Sequence, residues 1–268
     1  MANMVSTHYA EESLIGKVTA VMEAAGLTDN LTWRDLAPFD QFHVRGHAAT
    51  VDLASMLNPS PTSTVLDVGC GVGGPVRYIA ETYGCHVTGI DLNAPFIEVA
   101  RMLSDRTPSK DLVTFITGDA LKMPFEDESF DNAWTQHVAM NIQARTGLYA
   151  EIYRVLKPGG RLAIYDIVKG DDEPLIFPVP WASVPEISFL LKADEMRETL
   201  KEAGFSEDSF ADTTDKGIEA FEKMLASPDQ NLSIGTLMGP RFKEMSGNLL
   251  QNLKLGRVRL AQTIVAKP

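Results

Sequence analysis

Apolar and polar positions alternate along the chain in a way that predicts strands followed by helices from residue 64 onward. The run TVLDV at 64–68 suits a strand buried on both faces of a parallel sheet, and a helical pattern begins at Pro75. Further strands are predicted at 85–90, 112–117, 130–136, 161–168, 209–213 and 257–266, and helices at 94–104, 147–156 and 193–203. Such alternation implies right-handed crossovers, so the pattern predicts an α/β fold with a doubly wound, mostly parallel, seven-stranded sheet.

The chain before the sheet is expected to be helical. Apolar residues at helical spacing predict an amphipathic helix at 13–25, and a second helix is expected at 47–57. Residues 30–46, which lie between them, are rich in aromatic and polar side chains and show no regular period. We read this stretch as irregular.

Two insertions interrupt the last part of the sheet. Residues 169–191 contain several prolines and little periodicity, whereas residues 216–255 read as two helices with a break at 227–229. A segment of about 40 residues is too long for an ordinary loop. We therefore expect an N-terminal helical cap at 1–58 and a ligand-binding domain at 59–268 that carries both insertions as further parts of the cap.

Composition excludes several classes of protein. The 268 residues are 44% hydrophobic, enough for a full core, and the net charge of −12 opposes binding to nucleic acid or to anionic membranes. No apolar run reaches the roughly 18 residues of a membrane span, and no signal-peptide pattern is present, so a cytoplasmic protein is predicted. Cys70 and Cys85 do not lie in ligand spacing, and no His/Asp cluster does, so no metal site is expected.

A glycine-rich turn follows the first predicted strand. Gly69, Gly71 and Gly74 satisfy the G-x-G-x-x-G pattern, and Asp91 lies near the distance expected for a carboxylate that binds a ribose. This short pattern is compatible with a dinucleotide such as NAD. Asp67, two residues before the first glycine, disfavours a pyrophosphate at the turn and favours a ligand with a cationic amino group.

Four ordered motifs resemble those of class I S-adenosylmethionine-dependent methyltransferases. They are LDVGCGVGG from residue 66, GIDLN at 89–93, GDALKMPFEDESFD at 118–131 and LKPGGRLAIYD at 156–166. The resemblance implies a Rossmann-like fold, S-adenosylmethionine as cofactor and S-adenosylhomocysteine as product. It also implies an enzyme that acts by in-line displacement of the methyl group.

The same resemblance implies a set of cofactor-binding residues. Asp67, Gly69 and Gly71 would surround the methionine part, and Asp91 would accept hydrogen bonds from both ribose hydroxyls. The adenine would contact Leu92, Asp119, Ala120 and Leu121, and Gln136 would lie near the methionine part.

The segments at 40–50, 178–205 and 256–268 resemble bacterial small-molecule methyltransferases of the sarcosine/dimethylglycine N-methyltransferase type. This implies a small-molecule acceptor, with an amine nitrogen as the favoured methyl acceptor, and leaves room for a homodimer. The alternative is C- or O-methylation of a quinone-like or natural-product acceptor by means of a histidine base. More remote alternatives are an NAD-dependent oxidoreductase and a non-catalytic binding module.

Candidate residues for catalysis and for contact with the methyl acceptor are those predicted to lie near the glycine-rich turn. His137 follows the fourth strand, and His43 lies in the DQFH segment that resembles the part closing over the donor. Both are candidate acid–base residues because histidine titrates near neutral pH. Tyr9 is a candidate if the first helix is a lid. The candidates for substrate contact are Asn141 and Trp181, whose ring could attract an ammonium group.

Overall fold

The computed structural model describes residues 14–226, 235 and 239–268. Seven strands form one sheet in the order β3-β2-β1-β4-β5-β7-β6, which confirms the predicted fold class. The strands are β1 (Thr64–Val68), β2 (His86–Asp91), β3 (Val113–Thr117), β4 (Phe130–Gln136), β5 (Leu156–Lys169), β6 (Ser206–Asp212) and β7 (Val258–Ala266).

The order of the strands reverses next to β1. This strand pairs in parallel with β2 on one side and with β4 on the other, while β7 runs antiparallel to both β5 and β6. Crossovers therefore leave in opposite directions from β1 and β4, which opens a crevice at the carboxyl ends of these strands. The crevice is where the sheet can receive a ligand.

Helices cover both faces of the sheet. Those named here are α1 (Leu14–Ala24), α2 (Trp33–Asp40), α3 (His47–Leu57), α4 (Gly74–Tyr83), α5 (Ala94–Ser104), α6 (Arg145–Val155), α7 (Ala193–Glu202), α8 (Thr214–Ala226) and α9 (Phe242–Lys254). None of the described helices is long and apolar enough to cross a membrane. The break expected at residues 227–229 lies outside the described residues.

One local prediction was wrong. The stretch 30–46 contains α2, which begins after Thr32, whose backbone N–H and hydroxyl both donate to Asp35 at 2.8 Å. The helix was not expected because it contains Pro38. Proline removes a backbone donor and usually ends a helix. The strand predicted at 161–168 begins earlier, at Leu156, which pairs with Phe130 before the register shifts.

The N-terminal helices share a core with the helices beside the sheet. Val18 and Met22 of α1 pack in one buried cluster with Phe39 of α2 and with Val99 and Leu103 of α5. α3 lies against β5 and contributes to the main core. The segment between α2 and α3 is thereby held directly above the glycine turn.

Candidate functional site

A cavity of about 1110 Å³ opens at the carboxyl ends of β1, β2 and β4. Most of the residues that the sequence singled out lie in its wall. They are His43, Gly69, Gly71, Asp91, Leu92, Asp119, Ala120, Leu121, Gln136, His137, Asn141 and Trp181. Asp67 is buried just before the turn, and Tyr9 lies outside the described residues.

The glycine turn brings bare backbone to the cavity. Gly69 and Gly71 have φ of +77° and +53°, a left-handed region that glycine adopts readily. A Cβ on Gly69 would lie 2.3 Å from Val138 Cγ2, and one on Gly71 would lie 2.9 Å from the Phe42 ring. A side chain at either position would therefore strain the turn and fill the space above it.

Asp91 holds the turn and still offers acceptors to a ligand. Its Oδ2 accepts from the Gly71 N–H at 2.9 Å and its Oδ1 accepts from the Asn93 N–H at 2.8 Å. Each carboxylate oxygen has a second lone pair, so the half-buried group can accept further hydrogen bonds from two adjacent hydroxyls. Beside it, the side chain of Leu92 is 74% exposed and that of Leu121 is 37% exposed.

Two buried polar groups near the turn lack partners. Asp67 Oδ2 and Gln136 Nε2 have no hydrogen-bond partner in the part of the chain that the structure describes. Burial, reinforced by the charge of Asp91, raises the pKa of Asp67 well above its usual value. Gln136 Oε1 accepts from Trp134 Nε1 at 3.0 Å, which fixes the amide orientation and leaves its NH₂ unsatisfied. Asp67 Oδ2 can therefore accept a hydrogen bond from a cationic amine of a ligand, and Gln136 Nε2 can donate one to a ligand oxygen.

His137 is fully engaged with the backbone. Its Nδ1 donates to the Tyr165 carbonyl at 3.1 Å, and its Nε2 accepts from the Val44 N–H at 3.2 Å. Burial lowers the pKa of His137 to about 4. The ring is therefore neutral at pH 7 and ties the segment before α3 to the sheet.

His43 is also neutral. Its Nε2 lies 3.0 Å from the Gly46 carbonyl, which can only accept, so this nitrogen carries the proton and Nδ1 carries the lone pair. Burial, together with the nearby His137, lowers the pKa of His43 to about 3. A group this weakly basic is a poor proton acceptor for a phenol or a carbon acid at neutral pH.

We expect both rings to stay neutral down to about pH 5, as measured by NMR titration of their Cε1–H signals. Because the folded pKa values lie below the unfolded value near 6.5, the unfolded chain takes up protons first as the pH falls. The contribution of these histidines to stability is thus full above pH 6.5 and is lost as the pH falls to about 4 for His137 and to about 3 for His43. Protonation of either ring above pH 6 in the folded protein would contradict this burial.

The segment that contains DQFH, which resembles a part closing over the donor, is held by contacts that were not predicted from the sequence. Residues 40–46, here called the strap, lie over the glycine turn and place the Phe42 ring against Gly71. The strap is anchored by an ion pair between Asp40 and Arg77 at 2.8 Å, in which both side chains are fully buried. Gln41 connects this pair to Thr50, whose hydroxyl lies 3.0 Å from His43 Nε2.

The side of the cavity away from Asp91 is mainly apolar. Asn141 Nδ2 donates to the Trp181 carbonyl at 2.8 Å, and Trp181 Nε1 donates to Ser188 Oγ at 2.9 Å, so both polar groups are engaged within the protein. Gln143 and Ser246 are polar members of the remaining wall, and Ser246 Oγ is buried without a hydrogen-bond partner in the described residues. Most of the remaining wall is aromatic or aliphatic, including Met140, Ile142, Phe189, Phe221, Met224, Phe242 and Leu249. Within the described residues, no three His, Cys, Asp or Glu side chains are grouped so as to hold a metal ion.

The chain is similar in sequence to known methyltransferases. Residues 66–164 match the family model described as a methyltransferase domain. The chain is 31% identical over 229 residues to the O-methyltransferase cnsE of Penicillium expansum, covering 84% of this chain and 80% of that protein. It also matches fungal sterol 24-C-methyltransferases, of which it spans less than half the length.

Solved structures with low identity share the fold. Geranyl diphosphate methyltransferase in complex with S-adenosylmethionine has a TM-score of 0.69 at 19% identity, covering 83% of this chain and 86% of that chain. A putative sarcosine dimethylglycine methyltransferase from Galdieria sulphuraria has a TM-score of 0.70 at 21% identity, covering 83% and 85%. The sarcosine type is thus one structural neighbour beside enzymes for other acceptors.

Proposed function

This chain belongs to the class I S-adenosylmethionine-dependent methyltransferases, and we propose that it methylates an apolar small molecule larger than an amino acid. S-adenosylmethionine is the cofactor of the family. The choice of acceptor rests on the mainly apolar cavity wall opposite Asp91.

The cavity wall next to the glycine turn fits the cofactor. Asp91 would receive both ribose hydroxyls on its free lone pairs, and the backbone of Gly69 and Gly71 would lie against the methionine part. The unpartnered Asp67 Oδ2 and Gln136 Nε2 match an ammonium and a carboxylate at the methionine end. These two atoms are the strongest support for an amino-acid end in the ligand.

The adenine would lie between two exposed leucines. Leu92 and Leu121 expose apolar surface in the cavity wall, where a flat ring would remove it from water. Asp119 Oδ1 accepts from the Leu121 N–H at 2.8 Å, which leaves Oδ2 for the adenine amino group. Ala120 would supply backbone and apolar contact between them.

The other side of the cavity favours an apolar acceptor over sarcosine. An amino-acid acceptor needs polar partners for both its amine and its carboxylate. Phe189, Phe221, Phe242 and Leu249 offer none, and Ser246 of α9 offers a single uncharged hydroxyl. We therefore place the acceptor among these side chains, with Trp181 and Asn141 at its edge. The preference for a natural-product acceptor replaces the amine nitrogen favoured by the sequence.

Catalysis would rest on alignment rather than on a strong base. S-adenosylmethionine, when bound, supplies a methyl group already activated by the sulfonium. Phe42 and the rest of the strap would exclude water above the turn, and the apolar wall would hold the nucleophile in line with the methyl group. His137 and His43 act as neutral positioning residues in this scheme, since their partners and low pKa values disfavour proton transfer.

We also propose a cap over the acceptor and a role for Tyr9, as the sequence suggests. Residues 1–58, 169–191 and 216–255 would form the cap over the acceptor. Tyr9 would reach the reacting centre from this cap.

Release of S-adenosylhomocysteine tests the acceptor class. We expect turnover with apolar acceptors, drawn from a panel of 2-naphthol, a flavonol, a sterol and geraniol, and none with sarcosine or dimethylglycine. Met224→Lys, which puts a charge on the exposed rim of the acceptor wall, is expected to raise the KM for an apolar acceptor about tenfold. Leu255→Lys, at another exposed apolar position that lies outside the wall, is the control and should leave KM unchanged. Turnover of sarcosine alone would contradict the proposed acceptor.

A further inference from the structure

A buried ion pair lies directly behind the acceptor side of the cavity. The side chains of Arg145, the first residue of α6, and of Asp166 in β5 are 7% and 2% exposed, and Arg145 Nη1 lies 3.7 Å from Asp166 Oδ2. Neither residue belongs to the cavity wall, whereas Ile167, the next residue of β5, does. A buried pair at this distance adds little to stability by itself, because both charges have been removed from water.

Arg145 holds one residue of the acceptor wall by its backbone. Its Nη2 donates to the Phe189 carbonyl at 2.8 Å, and the Phe189 N–H donates to the Met140 carbonyl at 2.9 Å. Phe189 and Met140 both line the cavity. Both backbone groups of Phe189 are therefore bonded to the start of α6 and to the loop before it, and these two bonds set where its side chain lies in the wall.

The chain around Phe189 has few other restraints. Residues 183–187, just before it, are exposed to solvent. Further back, the Trp181 carbonyl accepts from Asn141 Nδ2 at 2.8 Å, a contact with the same loop. Segments with few buried contacts open locally at a low cost in free energy. The bond from the charged Arg145 is the strongest of these restraints, because charge-assisted hydrogen bonds exceed neutral ones.

Asp166 supplies the anion that lets Arg145 stay buried. Its Oδ1 accepts from the Ile167 N–H at 3.0 Å, which fixes the carboxylate to the sheet. Burial raises the pKa of Asp166 to about 6, although Arg145 opposes the change. The carboxylate is therefore ionised at pH 7 and takes up a proton as the pH falls through about 6. The guanidinium keeps its charge and is then buried without an anion, which favours its withdrawal toward water.

The other groups around Asp166 do not titrate near pH 6. Burial raises the pKa of Tyr149 in α6 to about 12, so its phenol is neutral. His137, which follows β4, is bonded to Tyr165 and Val44, and its pKa is about 4. The neighbouring helix and strand present apolar side chains here, Met196 and Leu200 of α7 and Ala261 of β7.

We propose that Arg145, held by Asp166, is a positioning residue that fixes Phe189 in the acceptor wall and so sets the affinity for the acceptor without touching it. This inference rests on the proposed function, which assigns that wall to the acceptor. Protonation of Asp166 releases Phe189, so acceptor binding weakens below about pH 6. The cofactor side of the cavity, around Asp91, does not depend on the pair.

Amide hydrogen exchange at Phe189 tests the proposal without an acceptor. The full-length protein with bound S-adenosylhomocysteine is compared at about pH 7.5 and about pH 5, and each rate is divided by the intrinsic rate at that pH. Wild-type protection is expected to fall between the two. Arg145→Met should lower protection at both, roughly 10- to 150-fold, the range for a lost hydrogen bond to a charged group. Asp166→Asn should lower it at the higher pH and abolish the pH dependence, and Arg145→Lys should restore part of it.

Turnover provides the second readout. With an accepted member of the panel of apolar acceptors, Arg145→Met is expected to raise KM about tenfold, with a smaller change in kcat and unchanged affinity for S-adenosylhomocysteine. Arg161→Met is the matched control: it removes an ion pair with Asp208 and a bond to the Met56 carbonyl, but Arg161 lies outside the cavity wall. Phe189 exchange and KM should both stay as in wild type.

Equal protection of Phe189 in wild type and Arg145→Met overturns the proposal, as does an unchanged KM or wild-type protection that is constant between the two pH values. Should Arg145→Met fail to fold, the pH dependence of the wild type and its loss in Asp166→Asn decide the matter. Failure of the wild type to bind S-adenosylhomocysteine, or to turn over any acceptor of the panel, would instead contradict the proposed function itself.

Discussion

Replacing Asp40 with alanine is expected to lower the free energy of unfolding by about 3–5 kcal/mol, because it leaves Arg77 as a buried charge without its anion. Both side chains are fully buried and joined at 2.8 Å. Arg77 would keep its bonds to the Val72 carbonyl and to Ser104 Oγ, neither of which carries a compensating charge. Urea denaturation followed by circular dichroism measures the loss.

An exposed ion pair provides the comparison for this variant. Arg197 and Glu207 lie 2.6 Å apart but are both substantially exposed, so Arg197→Ala is expected to change stability little. Asp40→Ala should also weaken binding of S-adenosylhomocysteine, because the strap loses its anchor above the glycine turn. A loss of stability in Asp40→Ala no larger than in Arg197→Ala would show that the buried pair does not hold the strap.

Asp91→Ala is expected to weaken binding of S-adenosylhomocysteine by about 1.5–3 kcal/mol, or roughly 10- to 150-fold, the range for hydrogen bonds to a charged group. The variant removes the proposed ribose contacts and also the bond that holds the Gly71 N–H at 2.9 Å. Titration calorimetry measures the affinity directly.

Two further variants separate the loss of the hydrogen bonds of Asp91 from the loss of a negative charge near the cavity. Asp91→Asn keeps an oxygen acceptor near Gly71 but lacks the charge, so its affinity should fall between those of wild type and Asp91→Ala. Glu98→Ala, an exposed carboxylate on α5 outside the cavity wall, controls for the loss of a nearby negative charge. Equal affinities in Asp91→Ala and Glu98→Ala would mean that the ribose lies elsewhere.

The parts of the site that follow from strand ends could be predicted from the sequence. Parallel strands end at one edge of the sheet, so Asp91, Asp119 and Gln136 had to meet there once the strands were identified. The glycines of the turn follow from the same reasoning. The local sequence pattern and the geometry of a parallel sheet were sufficient to predict that these residues lie in one site.

The resemblance of the DQFH segment indicated that the strap closes over the donor, but its anchoring could not be predicted, because long-range contacts hold it in place. Arg77 meets Asp40 across 37 residues and His137 meets Val44 across 93 residues, and neither pairing leaves a periodic signal in the sequence. The same burial changes the chemistry of the histidines. A histidine read from sequence titrates near neutral pH, whereas the rings of His43 and His137 are enclosed and remain neutral.

The most direct test of the central claim is calorimetric titration of the wild-type protein with S-adenosylhomocysteine and, separately, with NAD. Each ligand carries adenosine, but only the former has the amino-acid end that matches the unpartnered atoms of Asp67 and Gln136. We expect one S-adenosylhomocysteine to bind per chain and no comparable binding of NAD. Tight binding of NAD with none of S-adenosylhomocysteine would contradict the central claim.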